Sequence, residues 1–129
     1  MILTLQSGFS SAHLYHQPAW SSEENLKNFG RCFTEHGHGH NYTLEVGFKI
    51  QPDQVKEKLE EYKALLKTLT STLDHEHLNF VIPEFQKTIP TTENIALYFL
   101  KKLKESLSDK EIAHIKLYEM NDLWTEIQL

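Results

Sequence analysis

The chain reads as an α+β domain: an antiparallel four-stranded sheet with two helices packed on one face, in the order β-β-α-α-β-β. Three observations predict it. Thr43–Phe48 and Ile112–Met120 alternate polar and apolar residues with the period of two that a half-buried strand shows. Two longer stretches between them carry apolar residues at intervals of three and four, the mark of an amphipathic helix. No repeat, linker or low-complexity segment interrupts the 129 residues, a length that buries one core without covalent staples.

Residues 2 to about 15 form the first expected strand. Leu3, Leu5, Phe9, His13 and Tyr15 share one face, and Thr4, Gln6, Gly8 and Ser10 take the other. Gly8 and Ser10–Ala12 have room for a bulge. Residues 16 to 37 are an irregular insert holding a short helix around Ser22–Phe29, and loops of that length are usually functional. The second strand follows, with Leu44, Val46 and Phe48 on its apolar face. Pro52 and Asp53 then open a helix whose stripe is Val55, Leu59, Tyr62, Leu66, Leu69 and Leu73. Thr91 or Thr92 caps the second helix, with Glu93 in its first turn where a negative charge suits the helix dipole. Ile95, Ala96, Phe99, Leu100, Leu103 and Leu107 form its buried side. Ile112–Met120 and Leu123–Leu129 are the last two strands, joined by a hairpin turn at Asn121-Asp122.

Composition narrows the function classes. Hydrophobic content of 40% and charged content of 24% are those of an ordinary globular domain. A net charge of −5 disfavours non-specific nucleic-acid binding. One cysteine excludes an internal disulfide and fits a reducing compartment. No apolar run approaches the roughly 18 residues that span a bilayer, and Met1–Gln6 lacks a charged n-region and a cleavage site, so the expected address is cytoplasmic, with no membrane partner.

Chemistry concentrates in Cys32–Tyr42, which holds the only cysteine and three of eight histidines. His38 and His40 lie two apart at the start of the second strand, on the face of Leu44, Val46 and Phe48. Imidazoles on an apolar face are costly to bury unless they share a partner, and a metal ion is the natural one. His13, on the apolar face of the first strand, supplies a third if that strand lies beside the second. Three imidazoles around zinc with the fourth position open make a catalytic site. His36-Gly37-His38 is a second His-Gly-His; the pair His38/His40 is preferred because Asn41-Tyr42 leads directly into the strand. Cys32 follows Arg31 and lies near the expected metal, two features that favour its thiolate. Asp74-His75 is able to orient and share a proton with that thiol if the fold brings them together. Glu119 is a carboxylate on the Ala113-Ile115-Leu117 face, where it needs donors such as the N–H edge of a planar ligand.

Assembled in order, these stretches resemble the 6-pyruvoyl-tetrahydropterin synthase family, which includes the bacterial 6-carboxytetrahydropterin synthases. The resemblance runs nearly end to end. It rests on Phe9-Ser10-Ser11-Ala12-His13, Phe29-Gly30-Arg31-Cys32, His38-Gly39-His40-Asn41-Tyr42, Leu73-Asp74-His75, Pro90-Thr91-Thr92-Glu93-Asn94-Ile95-Ala96 and Leu117-Tyr118-Glu119. It implies that His13, His38 and His40 hold zinc and that Cys32, Asp74 and His75 form a proton-relay triad. It implies further that Glu119 anchors a pterin ring, helped by Thr91 and Thr92, with Glu93 close by. The implied architecture is the tunnelling fold, whose subunits join their sheets into an oligomeric barrel. Trimers stack into homo-hexamers with active sites between subunits, which would also cover sheet edges that a lone domain leaves open.

The implied substrate is a small molecule, 7,8-dihydroneopterin triphosphate, which loses triphosphate without a redox cofactor. Two other functions compete. One is 6-carboxytetrahydropterin synthase, which releases acetaldehyde from the same substrate at the start of the deazapurine (queuosine) pathway. The other is an inactive zinc- and pterin-binding module. The five residues between Cys32 and His38 resemble the pyruvoyl-forming type. Taking His36 as a ligand leaves the gap of three common in the carboxy-forming type. Glu35 lies in this loop, where some family members that form 6-hydroxymethyl-dihydropterin use a glutamate for proton transfer.

Overall fold

In the computed structural model, which describes residues 1–129, β1 (Ile2–His13) pairs antiparallel with β2 (His38–Lys49). Their register is unbroken from Ile2 opposite Lys49 to His13 opposite His38, so the bulge allowed by Gly8 and Ser10–Ala12 does not form. The chain leaves the sheet at His13, and the expected strand is two residues too long.

A fifth strand corrects the expected sheet of four antiparallel strands. β3 (Glu76–His77) pairs parallel to β1 at Ser11 and Ala12, giving a mixed sheet of order β3-β1-β2-β4-β5 with β4 at Ile112–Met120 and β5 at Leu123–Gln128. Its cause is local. Asp74 Oδ1 accepts the Ser10 N–H at 2.8 Å and the His75 N–H donates to Ser10 O at 2.6 Å. His75 takes a left-handed φ of 61°, which turns the next two residues alongside β1. Irregularities in register occur instead at Gly47/Phe48 and at Tyr118/Met120.

There are four helices: α1 (Ser22–Phe29), α2 (Val55–Ser71), the single turn α3 (Leu78–Val81) and α4 (Thr92–Ser106). None is long and apolar enough to cross a membrane. Tyr62 and Leu66 of α2, and Ile95, Phe99 and Leu103 of α4, close over Leu44, Val46 and Phe48 of β2 and Ile115 and Leu117 of β4. Phe48 stacks on Tyr62 with ring centres 4.0 Å apart. The two long helices therefore cover one face of the sheet, as their stripes require. The other face stays polar, with Gln6, Glu45, Lys116 and Glu126 side by side across four strands. Gln6 donates to Glu45 at 2.7 Å, and Lys116 pairs with Glu126 at 3.5 Å.

The covered face carries the histidines. In the β1–β2 ladder His13 stands opposite His38, Ser11 opposite His40 and Phe9 opposite Tyr42. At the mouth of β2, Gly37 has φ 71°, and a Cβ there would fall 2.3 Å from the carbonyl oxygen of His13. Gly37→Ala is expected to destabilise the fold by about 1–3 kcal/mol through a strained backbone and a forced shift of β2. Thermal unfolding measures this; an unchanged melting temperature would mean that the turn relaxes freely.

Candidate functional site

β1 and β2 bring His13, His38 and His40 together because side chains alternate along a strand and cross-strand neighbours stand close. One ring nitrogen from each lies within 4.8 Å of the other two. His13 Nε2 and His38 Nε2 are 3.0 Å apart. A tetrahedral ion about 2.0–2.1 Å from each nitrogen sets such nitrogens about 3.3 Å apart, so the cluster has the right scale.

His13 is fully buried, and its tautomer is decided by its neighbours. Its Nδ1 lies 2.9 Å from Pro90 O, which only accepts, so Nδ1 carries the proton and the Nε2 lone pair faces the cluster. The Tyr42 hydroxyl sits 3.0 Å from the same nitrogen. A carbonyl behind a ligating imidazole is the usual way to fix ring and tautomer. Burial, with His38 next, pushes the His13 pKa down to about 4, leaving the ring neutral as a metal requires. Burial followed by His40 likewise lowers His38. The three rings, with His40 Nε2 buried and free of hydrogen bonds, fit a cation. His36 is excluded from the set. Its side chain is 88% exposed, and the turn at Gly37 leaves only its carbonyl near the fold, 3.2 Å from His77 Nε2.

Glu119 stands beside this cluster. Thr92 Oγ1 donates to Glu119 Oε2 at 2.6 Å, while Oε1 lies 3.2 Å from His40 Nε2 without hydrogen-bond alignment. Thr91 acts differently, capping α4 with a side chain that accepts the Asn94 N–H at 3.2 Å. Glu93 is exposed in the first turn. Near Glu119 lies Tyr15, whose ring meets His13 edge-on with centres 5.1 Å apart. Burial, then Glu119, Cys32 and Glu93, hold its phenol above the usual range. Tyr15, packed on His13, thus has the thiol and both carboxylates for neighbours.

Cys32 ends the short turn Gly30–Cys32 that follows α1, and its carbonyl accepts the Tyr15 N–H at 2.8 Å. The thiol is half-buried. Burial, then Glu119, pushes its pKa up, opposite to the expected help from Arg31, which is exposed. Asp74 and His75 pair with each other at 2.9 Å beside β3. His75 borders an open depression of about 540 Å³ that Ser10, Ala12, His40 and Asn41 also line. No hydrogen bond or ion pair within the chain links Asp74 or His75 to Cys32. Glu35 is 88% exposed, 3.8 Å from His36. Three contributors have no role assigned from the sequence: Pro90 and Tyr42, which orient His13, and Tyr15.

The family model described as 6-pyruvoyl tetrahydropterin synthase matches residues 2–129. The chain belongs to this family. The 6-pyruvoyl tetrahydrobiopterin synthase of Dictyostelium discoideum is 38% identical over 133 residues, 98% of this chain and 90% of that protein. The Drosophila melanogaster protein of that name is 35% identical over 122 residues, 91% and 73% of the two chains. The structure of Caenorhabditis elegans 6-pyruvoyl tetrahydropterin synthase superposes with a TM-score of 0.82 at 29% identity, covering 100% of this chain and 96% of that one.

Within this member of the 6-pyruvoyl tetrahydropterin synthase family, the Asp74–His75 pair has a measurable consequence. The Ser10 N–H, followed by the His75 ring, holds the Asp74 carboxyl below its ordinary value of 3.8. A depressed carboxylate pKa means stability that is present above the unfolded value and lost as pH falls through the folded one. The Ser10 amide resonance is therefore expected to titrate with a midpoint below 3.8. A midpoint at or above it would show that the carboxylate does not hold that amide.

Proposed function

We propose that this chain is a zinc-dependent carbon–oxygen lyase that converts 7,8-dihydroneopterin triphosphate to a 6-pyruvoyl-tetrahydropterin with loss of triphosphate. The observation that carries the reading is the convergence of His13, His38 and His40 beside the Thr92-held carboxylate of Glu119. The names of the relatives point the same way.

Each residue then has a part to play. His13, His38 and His40 would hold zinc, which supplies Lewis acidity to the oxygens of the substrate side chain and acidifies the adjacent C–H. Glu119 is the anchor for the pterin, because a carboxylate accepts the paired N–H groups along one edge of that ring. Thr92 fixes its rotamer, and Thr91 and Glu93 shape the wall from the start of α4. Cys32 takes and returns the proton at the side-chain carbon, and the Asp74–His75 pair passes it on. The electrons that expel triphosphate come from the broken C–H bond, so no redox cofactor takes part.

No hydrogen bond or ion pair within one chain joins Asp74 or His75 to Cys32, which suits a triad that closes between two subunits. The reading therefore includes a homo-hexamer built as a dimer of trimers, with neighbouring sheets forming a barrel and no partner of another kind. A cytoplasmic location is part of the same reading. The five-residue interval between Cys32 and His38 favours the pyruvoyl product, since His36 is turned away from the cluster.

The test is to incubate the zinc-loaded protein with 7,8-dihydroneopterin triphosphate and weigh the products. Inorganic triphosphate and a pterin retaining all three side-chain carbons are expected. Acetaldehyde would assign the carboxy-forming reaction instead, and zinc and pterin binding with no turnover would reduce the chain to a binding module.

A further inference from the structure

Between His13 and His38 the chain runs through a connection with no strand of its own, and Cys32 lies near its end. Two carboxamides hold this connection. Asn79 of α3 grips Leu14 as a neighbouring strand would: its Oδ1 accepts the Leu14 N–H at 2.8 Å and its Nδ2 donates to Leu14 O at 2.7 Å. Asn25 does more. It is the one buried residue of α1, with 0% exposure. Its Oδ1 accepts the Gln17 N–H at 2.7 Å. Its Nδ2 lies 3.1 Å from Gln17 O, 3.3 Å from Trp20 O and 3.0 Å from Ser21 O, so three carbonyls share its two hydrogens.

Asparagine is a weak helix former, and nothing apolar is gained by burying it here. What it does is close a ring. Gln17 is tied to α1 through Asn25, α1 ends at Gly30, whose φ of 52° leads the chain directly into the Gly30–Cys32 turn, and Cys32 O returns to the Tyr15 N–H at 2.8 Å, two residues from Gln17. Tyr15 in turn packs on both His13 and Phe29, with ring centres 5.1 and 5.7 Å away. We propose that Asn25 is a positioning residue for the Cys32 thiol: its four hydrogen bonds hold α1 as a rigid arm that sets the thiol beside Tyr15 and the histidine cluster. The role in turnover rests on Cys32 being the proton-transfer group; the role in placing the thiol does not.

Alkylation of Cys32 by iodoacetamide in the folded, zinc-loaded protein separates the two. Asn25→Ala is expected to change the alkylation rate by about 5- to 30-fold, the equilibrium worth of one or two lost buried hydrogen bonds. Cobalt(II) affinity of the histidine cluster should stay within about twofold, and kcat should fall with KM nearly constant. Asn25→Ser, which removes less, gives the same ordering with a smaller change and serves if the alanine variant does not fold. Asn28→Ala is the control, because that side chain bonds only the exposed Glu24 carbonyl of the same helix. An unchanged alkylation rate in a folded Asn25 variant overturns the proposal, as does a loss of cobalt affinity in parallel with the thiol's change. If the unmodified protein shows no pterin turnover, the function proposed above fails while the alkylation comparison still decides the role of Asn25.

Discussion

Cys32→Ala is expected to lower kcat by about 10²–10⁴-fold, the contribution of a positioned proton-transfer group, while zinc content and pterin affinity stay as they are. The separation follows from the geometry. Cys32 stands on the turn after α1, whereas the histidines belong to β1 and β2 and Glu119 to β4. Removing a half-buried thiol at the end of a surface arm leaves those three strands intact. Steady-state rates, paired with cobalt(II) titration and pterin binding, measure the effect. Turnover at the original rate would reject the thiol as the proton carrier.

His13→Ala should have the largest effect on the metal. Losing one of three imidazoles is expected to weaken cobalt(II) binding by more than about 100-fold, beyond the range seen when only an outer partner of a ligand is lost. It should also destabilise the metal-free fold by about 2–4 kcal/mol, since the substitution leaves a cavity and strips Pro90 O of its donor in a fully buried place. His36→Ala serves as the comparison, with binding and melting temperature nearly unchanged, because that ring is exposed. Equal cobalt affinity in the His13 variant and the unmodified protein would remove β1 from the metal site.

Much of the fold and site is legible in the chain because strand periodicity is simple. A period of two places His38, His40, Leu44, Val46 and Phe48 on one face whatever the rest of the fold does, and the same rule puts His13 on the face of Leu5 and Phe9. The helical stripes are equally plain, and the cap at Thr91 can be read from its position before Thr92-Glu93. Other features depend on distance in space. β3 has two residues, too few for any period, and exists because Asp74 and His75 bond to Ser10. The choice between His36 and His40 turns on the backbone angle of Gly37, and the sign of the shift at Cys32 on burial and on Glu119. Asn25 reads as an ordinary surface residue of a polar helix until Gln17 and Trp20 fold back over it.

One short segment touches both the histidine cluster and Glu119. The Pro90 carbonyl accepts the hydrogen bond of the His13 Nδ1–H, and two residues later the Thr92 hydroxyl holds Glu119. Any ring that seats itself on that carboxylate therefore pulls on the same turn that steadies the first imidazole. Thermodynamic linkage makes such coupling mutual: whatever factor the bound heterocycle lends to the ion's affinity, the ion returns to the heterocycle in full.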